Sequence, residues 1–399
     1  MYLNRDRAHA IMKEAGLDAL VATHLRNVTY FSDYPQMHEC TLTPTVFAVL
    51  PADPAIPPFL VLRAASLPVH HQEKCWIREV EVYSKPFVCL PDSVKPSAMT
   101  TEERLIYQAS KGVDLPAKPV QALRAGLEMR GLLKGRIGVD ESGLPQPRGW
   151  DEMIEGLTGA TLQPAASLIS KVRLVKTRLE LRIMAEGAAV NEMGLKACLA
   201  RIRRGGTERE AASAYRQAVW RGGGTPHFAN VGYGTRSAVP TKPPAATRPR
   251  KGDVVKLDFN CLYNYYFVDL GRTAIIGRPS EKIRRYYAAV PPGLAEVKAA
   301  IRPGARPAEL FHLAIETVRK AGIPYFNTTY IGHAIGMWCY DGLAINAMED
   351  RPLEEGMVLN LEPTHYELGL GAFHAEDTVV VTRTGHRSLS RAPLKLYEL

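Results

Sequence analysis

The chain has 399 residues, of which 46% are hydrophobic and 23% are charged, and its formal net charge is +9 at pH 7. These values are ordinary for a globular protein and exclude a disordered, collagen-like or membrane-spanning chain. Single hydrophobic cores rarely grow beyond about 250 to 300 residues, so we expect two domains.

The first 21 residues carry charges throughout and lack an apolar core followed by a cleavage site, which argues against a secretory signal. No apolar run approaches the roughly 20 residues needed to span a bilayer. We therefore expect a cytoplasmic protein with no membrane contact. The cysteines contain no CxxC pair, so we expect packed, reduced thiols rather than disulfides or structural zinc. They are Cys40, Cys75, Cys89, Cys198, Cys261 and Cys339.

The first part of the chain mixes helical patterns with short apolar runs that are typical of buried strands. These runs lie at 16–22, 47–50, 59–62 and 135–140. We predict an α/β domain over residues 1–165. Within it, residues 64–132 are less periodic and interrupted by prolines, and we interpret them as a loop-rich excursion without assigned chemistry.

The second part begins with a helical pattern over 179–204, rich in Ala, Leu, Glu and Arg. We predict a second domain over residues 170–399. Basic residues gather between Arg236 and Lys251, but no aromatic residues are interleaved with them and no zinc-finger or RNP-like motif accompanies them. We therefore expect no nucleic-acid partner. Attraction of an anionic substrate, or solubility, explains the positive charge as well.

The second domain repeats itself with a period near 100 residues. Gly206 and Gly304 begin similar helical segments, each with a proline 20 positions later. Further on, residues 251–258 match residues 355–362, and in both a glycine precedes a carboxylate by six positions. A turn glycine followed by alternating apolar residues predicts a strand, so each copy contains a strand that ends on an acid.

Each copy then continues into a second predicted strand that carries another acid. Asp258 is followed by Asp269, and Glu362 is followed by Glu376 in the run 373–376. If the two copies pack about a pseudo-two-fold axis, the four carboxylates converge on one cleft. An acid at a strand end is usually solvated, so it is the repetition that carries this prediction.

Four buried carboxylates need positive charge among them, because unpaired buried charges cost several kcal/mol. Two divalent cations about 3.5 to 4 Å apart would balance them and produce a hydroxide nucleophile. His333, flanked by small residues, would complete the ligand set, although a lone histidine is more often structural. Oxygen-rich ligation with one imidazole suits Mn, Co, Fe or Zn.

These residues resemble the creatinase, prolidase and aminopeptidase P family, and the resemblance covers the whole chain. It rests on Arg173–Thr177 followed by Glu180, the spacing of Asp258 and Asp269, Gly-His-x-Ile-Gly at 332–336, Leu361-Glu362-Pro363, and His374-Ala375-Glu376-Asp377. The resemblance implies a two-domain α/β fold: a creatinase-like amino-terminal domain and then a pita-bread catalytic domain with internal pseudo-two-fold duplication. It also implies a homodimer.

By this resemblance, Asp258 would bind one metal, His333 and Glu362 the other, and Asp269 and Glu376 would bridge the two. The expected activity is metal-dependent hydrolysis of an amide or peptide C–N bond in a dipeptide or other small substrate, like that of an Xaa-Pro dipeptidase. A metal-bound hydroxide would attack, and Glu362 would shuttle the proton.

The chain departs from the family at three positions where its peptidases usually carry histidines, here Thr241, Thr329 and Tyr340. A hydroxyl cannot replace histidine as a proton carrier at pH 7, because its pKa is far from neutral. In addition, His374 stands where the family commonly has an arginine, two positions before the last glutamate. Ordinary Xaa-Pro peptidase activity is therefore in question.

Four residues could fill these gaps beside Glu362, although for each a packed structural role is at least an even alternative. They are His227, Tyr340, Tyr366 and His374. His365, which closely follows Glu362, is a further candidate with the same structural alternative. Together with Tyr330 and Trp338, the tyrosines predict an aromatic pocket that suits a small or cationic substrate.

Two other functions remain open. The missing histidines favour a family member that has left peptide chemistry. Such a member would be a lyase that abstracts a proton next to a carboxylate, like the dimethylsulfoniopropionate-cleaving enzymes, or a hydrolase of a small betaine, cyclic or guanidino compound. A non-catalytic binding module, as in nuclear relatives, is weakest because such relatives tend to lose their ligands.

Overall fold

The computed structural model describes residues 1–35, 46–73, 75–90, 95–111 and 114–399. Its contacts divide the chain into two units, Met1–Val172 and Arg173–Leu399. Cys40 lies outside the described residues. The five described cysteines are free, and Cys89 is exposed rather than packed as predicted. No helix of the described part has the length and apolar character required to cross a bilayer.

The first unit is built on a mixed six-stranded sheet. Its helices are α1 Arg5–Ala15, α2 Leu25–Ser32, α3 Leu67–Gln72, α4 Thr101–Ser110, α5 Pro119–Met129 and α6 Gly149–Gly156. Its strands are β1 Ala19–Ala22, β2 Val46–Pro51, β3 Phe59–Arg63, β4 Glu79–Tyr83, β5 Arg136–Val139 and β6 Thr161–Pro164. The strand order is β4-β3-β2-β1-β5-β6, so the strands predicted from apolar runs occupy the centre of the sheet.

The apolar runs become central strands because they have no polar face to present to water. All four residues of β1 and all six of β2 are buried. The prediction of a loop-rich excursion over 64–132 is wrong for the described residues of that range. They include α3, α4, α5 and the strand β4, and Leu123 and Leu127 of α5 belong to the core of this unit. The edge strand β4 has only Tyr83 buried, so it lacks the continuous apolar run that marks the central strands.

The second unit follows α7 (Ala166–Leu174), which contains the division between the units. Its helices are α8 Arg178–Arg203, α9 Glu208–Arg221, α10 Glu281–Ala300 and α11 Pro307–Lys320. Its strands are β7 Thr225–Tyr233, β8 Val254–Tyr263, β9 Tyr266–Ile275, β10 Gly332–Ala334, β11 Val358–Leu361, β12 His365–Glu367, β13 Gly371–Phe373, β14 Asp377–Thr382, β15 Gly385–Ser388 and β16 Tyr397–Glu398.

The predicted duplication is visible in the two main sheets of this unit. One sheet has the order β16-β9-β8-β7 and the other has the order β10-β11-β14-β15. In each, three strands that follow one another within a copy pair antiparallel: β7, β8 and β9 in the first, and β10, β11 and β14 in the second. In the second copy, the separate ribbon β12–β13 is inserted between β11 and β14.

The helices that cover the first sheet begin where the sequence supplies caps. Thr177 and Glu180 form a capping box at the start of α8, and Thr207 and Glu210 form another at the start of α9. Further along α8, the buried Asn191 donates hydrogen bonds of 3.1 Å to the carbonyl oxygens of Phe259 on β8 and Val268 on β9. The long helix is thereby tied to the hairpin that carries two of the predicted ligands.

Candidate metal centre

The hairpin β8–β9 presents one face to the site. Side chains alternate along a strand, so Lys256, Asp258 and Asn260 lie on the same face of β8. Across the pair, Asp258 is opposite Gly271 and Asn260 is opposite Asp269. The two predicted ligands of this copy are therefore diagonal neighbours on one face.

Two contacts hold these carboxylates. Asn260 Nδ2 donates a 2.9 Å hydrogen bond to Asp269 Oδ2, and it also lies 3.2 Å from Cys339 Sγ. Lys256 Nζ forms a 3.1 Å ion pair with Asp258 Oδ2. The pKa of Asp269 lies well above its usual range because of burial and then the nearby charges of Glu376 and other carboxylates.

The second sheet supplies His333 and Glu362. His333 on β10 is opposite Asn360 on β11, and Glu362 follows the end of β11. His333 Nε2 lies 3.4 Å from Glu362 Oε1, while its Nδ1 lies 3.1 Å from the carbonyl oxygen of Ala334. Burial alone would raise the pKa of Glu362, but His333 and His374 lower it to about 2. Glu362 is therefore a carboxylate at neutral pH.

Glu376 does not lie on a strand, contrary to the prediction for 373–376, because β13 ends at Phe373 and β14 begins at Asp377. Its Oε1 accepts a 2.8 Å hydrogen bond from Asn360 Nδ2, and the amide oxygen of Asn360 accepts one from Thr378 Oγ1. Burial raises the pKa of Glu376. Because Glu376 lies in the segment between β13 and β14, its side chain does not follow the alternation of either strand, and its carboxylate faces the other ligands.

His374 is part of the same cluster. Its Nε2 lies 2.9 Å from Glu376 Oε2 and 3.6 Å from Glu362 Oε2. Burial alone would lower the pKa of His374, but the carboxylates of Glu362 and Glu376 raise it to about 9. Asp258, His374 and Glu376 each offer a ligand atom within 4.8 Å of the others. The structure thus brings the five predicted ligands and His374 into one site.

A cavity of about 420 Å³ opens onto this cluster. Its lining includes Asp258, Asp269 and Glu362 together with His227, Phe228, Pro240, Thr241, Lys256, Asn260, Tyr330, Cys339, Tyr340 and Tyr366. Such a volume suits a small ligand. Three of the four residues proposed to replace the missing histidines, His227, Tyr340 and Tyr366, therefore face the same space, and His374 lies behind it in the buried cluster.

Within this lining, Tyr340 is 60% exposed and Phe228 is 38% exposed. Burial raises the pKa of the Tyr340 hydroxyl to about 12 and its oxygen lies 3.3 Å from Tyr330 Oη, so it is a neutral phenol at pH 7. His227 packs edge-on against Phe267 at a centroid distance of 5.0 Å. The Tyr366 ring lies 5.0 Å from Lys256 Nζ.

Other predicted neighbours lie elsewhere. Trp338, predicted to be a pocket wall, is not among the lining residues, and its ring instead stacks at 4.1 Å under the guanidinium of Arg173. Thr329 is also outside the lining. His365, two positions from Pro363, is buried with its Nε2 3.2 Å from Glu367 and serves a structural role.

Sequence reasoning missed the polar residues that surround the ligands: Lys256, Asn260, Cys339 and Asn360. Three of them were within reach of the sequence, because Lys256 and Asn260 stand two positions from Asp258, and Asn360 stands two positions from Glu362. The period of two along a strand puts such residues on the ligand face.

The donor set fits divalent metal ions. Four carboxylates and two imidazoles converge in the site. Among the contacts described above, Lys256 supplies a positive charge next to the carboxylates. Within the described part of the chain, three buried polar atoms of the site have no hydrogen-bond partner: His374 Nδ1, His374 Nε2 and Asn260 Oδ1. Buried polar groups without partners are costly, so this site is suited to a ligand that is itself charged.

Known proteins resemble this chain in sequence and in fold. The Xaa-Pro dipeptidase of Pyrococcus furiosus is 30% identical over 231 residues, a region that spans 57% of this chain and 66% of that protein. The structure titled Xaa-Pro dipeptidase from Bacillus anthracis superposes with a TM-score of 0.79 at 20% identity, covering 99% of this chain and 98% of the other.

The fold by itself does not assign an activity. The N-terminal domain of FACT complex subunit SPT16 from Cicer arietinum also superposes, with a TM-score of 0.72 at 13% identity over 98% of this chain and 96% of the other. The activity therefore depends on the residues of the site.

The two parts of the chain match two family descriptions. Residues 5–175 match the Creatinase/Prolidase N-terminal domain, and residues 182–383 match Metallopeptidase family M24. These matches confirm the predicted creatinase-like domain followed by a pita-bread domain. The chain belongs to metallopeptidase family M24.

Proposed function

We propose that this protein is a metal-dependent hydrolase that cleaves a peptide or amide C–N bond in a dipeptide-sized substrate. The observation that carries the proposal is the convergence of Asp258, Asp269, Glu362 and Glu376 with His333 at the wall of a cavity of about 420 Å³. The family and the relatives named Xaa-Pro dipeptidases support the same reaction.

By the family resemblance, Asp258 would hold one of two divalent ions, His333 and Glu362 the other, and Asp269 and Glu376 would bridge them. The chemistry that such ions supply is activation of water and polarisation of a carbonyl. Mn, Co, Fe and Zn all suit this mixture of carboxylate and imidazole ligands.

The chain's own residues have separate tasks in this proposal. Glu362 is ionised and 15% exposed at the cavity wall, so its carboxylate accepts a proton from water and passes it to the leaving nitrogen. Tyr340 is neutral at pH 7, so its hydroxyl donates a hydrogen bond to the substrate and does not act as a base. Asn260 and Asn360 hold Asp269 and Glu376 in place.

The charge of the site favours a substrate with a carboxylate. Metal binding requires deprotonated ligands, so in the metal-bound site all four carboxylates are ionised and the histidines are neutral. The carboxylates and Lys256 then carry a net charge of −3, which two divalent ions would convert to +1. Lys256 Nζ is fixed by the Pro240 carbonyl at 2.8 Å and by Asp258, so the positive charge has a defined place at the cavity wall. A dipeptide offers a carboxylate at its end.

A second candidate is a non-peptidase reaction on a small betaine, cyclic or guanidino compound. The observation that favours it is the aromatic and hydroxyl lining at positions where the family's peptidases carry histidines, since Thr241 and Tyr340 both line the cavity. Aromatic faces attract cationic groups, and a betaine combines such a group with a carboxylate. We also propose that the protein is a homodimer, as the family resemblance implies, and that it is cytoplasmic.

The test is metal analysis followed by an assay of one substrate panel. The purified protein is stripped with a chelator, reconstituted separately with Mn²⁺, Co²⁺, Fe²⁺ and Zn²⁺, and assayed with Xaa-Pro dipeptides, small amides and betaines. We expect about two metal equivalents per chain and chelator-sensitive release of an amine from dipeptides. Turnover confined to betaines or cyclic compounds would select the second candidate.

Matched carboxylate variants provide the control. Asp258→Asn should lower metal content and turnover, whereas Asp350→Asn, which changes an exposed carboxylate paired with Arg306, should leave both unchanged. Less than one metal equivalent per wild-type chain after reconstitution would overturn the proposed function.

A further inference from the structure

We propose that His374 is a nitrogen ligand of the metal centre and shares one ion with Asp258 and Glu376, in a space that Gly271 leaves open. The inference rests on the proposed metal-dependent function and adds a ligand that the family resemblance does not supply. Each metal would then have one imidazole: His333 for the ion at Glu362, and His374 for the ion at Asp258.

The backbone of His374 is fixed in a way that directs its side chain. The hydroxyl of Thr273, which is buried on β9, accepts a 2.7 Å hydrogen bond from the His374 N–H and donates one of 3.0 Å to the His374 carbonyl oxygen. Both polar groups of one residue are therefore held by one side chain of the neighbouring sheet. The backbone from which the imidazole extends into the cluster is therefore fixed.

The ring has charge contacts with two carboxylates but lacks the hydrogen bonds that a structural histidine makes. It is 1% exposed, and neither Nδ1 nor Nε2 has a hydrogen-bond partner among the described residues. The 2.9 Å approach of Nε2 to Glu376 Oε2 is a charge contact without hydrogen-bond geometry. By contrast, the buried His365 has Glu367 as a hydrogen-bond partner. A buried imidazole that faces carboxylates but makes no hydrogen bond has both nitrogen atoms available, and one of them can bind a metal ion.

Glycine at position 271 makes the approach possible. Gly271 is opposite Asp258 in the β8–β9 hairpin, and a Cβ atom there would lie 2.2 Å from Glu376 Oε2 and 2.6 Å from His374 Nε2. Real Cβ atoms do not approach that closely. Any other residue at this position would push both candidate ligands away from Asp258.

The distances are within reach of a metal ion. Asp258, His374 and Glu376 each offer an atom within 4.8 Å of the others. Ligands at about 2.1 Å from a metal can be up to about 4.2 Å apart, so adjustments of about half an ångström close the set. The arginine that the family commonly has in place of His374 has no lone pair to offer a metal. An added imidazole shifts this ion's preference toward Co and Zn over Mn.

The experiment counts imidazoles on the metal in the full-length protein. The protein is reconstituted with Co²⁺, its metal content is measured, and the imidazole ligands per cobalt are counted by X-ray absorption. We expect two imidazoles per two cobalt ions in the wild type, and one per two in His374→Gln. We also expect affinity for one of the two ions to fall at least about tenfold. His365→Gln, at another buried histidine, should change neither number.

A second pair of variants tests the role of His374 without replacing His374 itself. Gly271→Ala should lower the imidazole count and the affinity as His374→Gln does. Gly385→Ala should not, because a Cβ there would meet only the Ile301 carbonyl oxygen at 3.9 Å. One imidazole per two cobalt ions in the wild type would overturn the ligand proposal and leave the proposed function standing. Failure of the wild type to bind cobalt would overturn both.

Discussion

A buried ion cluster next to the candidate site allows a sharp test of the physical reasoning. Asp341 Oδ1 accepts hydrogen bonds from Arg173 Nη2 at 2.8 Å and Nε at 3.2 Å, and Asp341 Oδ2 lies 3.4 Å from Lys176 Nζ. Their side chains are 1%, 7% and 0% exposed, respectively. We predict that Asp341→Asn is strongly destabilising, because it removes the carboxylate that pairs with two buried cations.

Removal of one partner from a buried ion pair costs about 3 to 5 kcal/mol. Asparagine at position 341 still accepts a hydrogen bond from Arg173, which places the expected loss at about 3 kcal/mol. For a unit of this size, that loss lowers the melting temperature by about 6 to 12 °C. The loop that ends in Asp341 also carries Cys339 and Tyr340, so the cavity wall should loosen with it.

The assay is urea and thermal unfolding, combined with hydrogen exchange of the loop 336–342. The matched control is Asp350→Asn, because the ion pair of Asp350 with Arg306 is exposed, at 71% and 49% for the two side chains. Such pairs contribute little, and we expect no measurable change in the control. If the free energy of unfolding of Asp341→Asn lies within about 1 kcal/mol of that of the wild type, the upper value for an exposed pair, Asp341 carries no buried-charge penalty and the prediction fails. The same holds if it equals that of the control.

Three further predictions concern pH, the cavity and metal affinity. Burial raises the pKa of Glu180 to about 7, despite opposing interactions with Lys176 and others, from an ordinary value of 4.5. Its stabilising protonated form is therefore lost as pH rises from about 4.5 through 7. This loss costs up to about 3 kcal/mol, and Glu180→Gln, which keeps the cap, should flatten the dependence of the urea midpoint on pH over that range; an unchanged slope contradicts this. Tyr340→Phe and Tyr366→Phe, assayed in turn, should lower kcat in at least one variant, and unchanged turnover in both removes these residues from the mechanism. Asn360→Ala should weaken metal affinity about 10- to 100-fold in a chelator competition, because Glu376 loses its amide partner; equal affinities would assign Asn360 a packing role only.

Much of the fold could be predicted because its signals are local. The apolar runs at 47–50 and 59–62 have no polar face, and they became central strands. The capping box at Thr177 and Glu180 marks the start of the long helix. The region 64–132 could not be predicted in the same way, because the edge strand β4 and the helices that follow depend on the sheet they pack against.

The ligand set could be predicted in part for a similar reason. The duplication repeats a carboxylate six positions after a turn glycine, and Asp258 and Glu362 are such a pair. The predicted strand end is confirmed for Glu362, which follows β11, but it is wrong for Asp258, because β8 continues to Tyr263. What the pattern did not predict is that Glu376 stands outside a strand, or that Trp338 turns away from the cavity to stack with Arg173. A stacking partner distant in the chain leaves no periodic signal.

By itself, the sequence determined the two-part organisation, the internal repeat, the family and the residue types of the metal centre, because each depends on spacing along the chain. Only the tertiary structure decided which side chains meet. It brought His374 against Glu376, put Gly271 beneath them, and joined each of Asp269 and Glu376 to an asparagine. The approach of Gly271 to His374 and Glu376 joins the two copies of the repeat, whereas the other contacts lie within one copy. In each case the distance between the side chains is set by packing rather than by their separation in sequence.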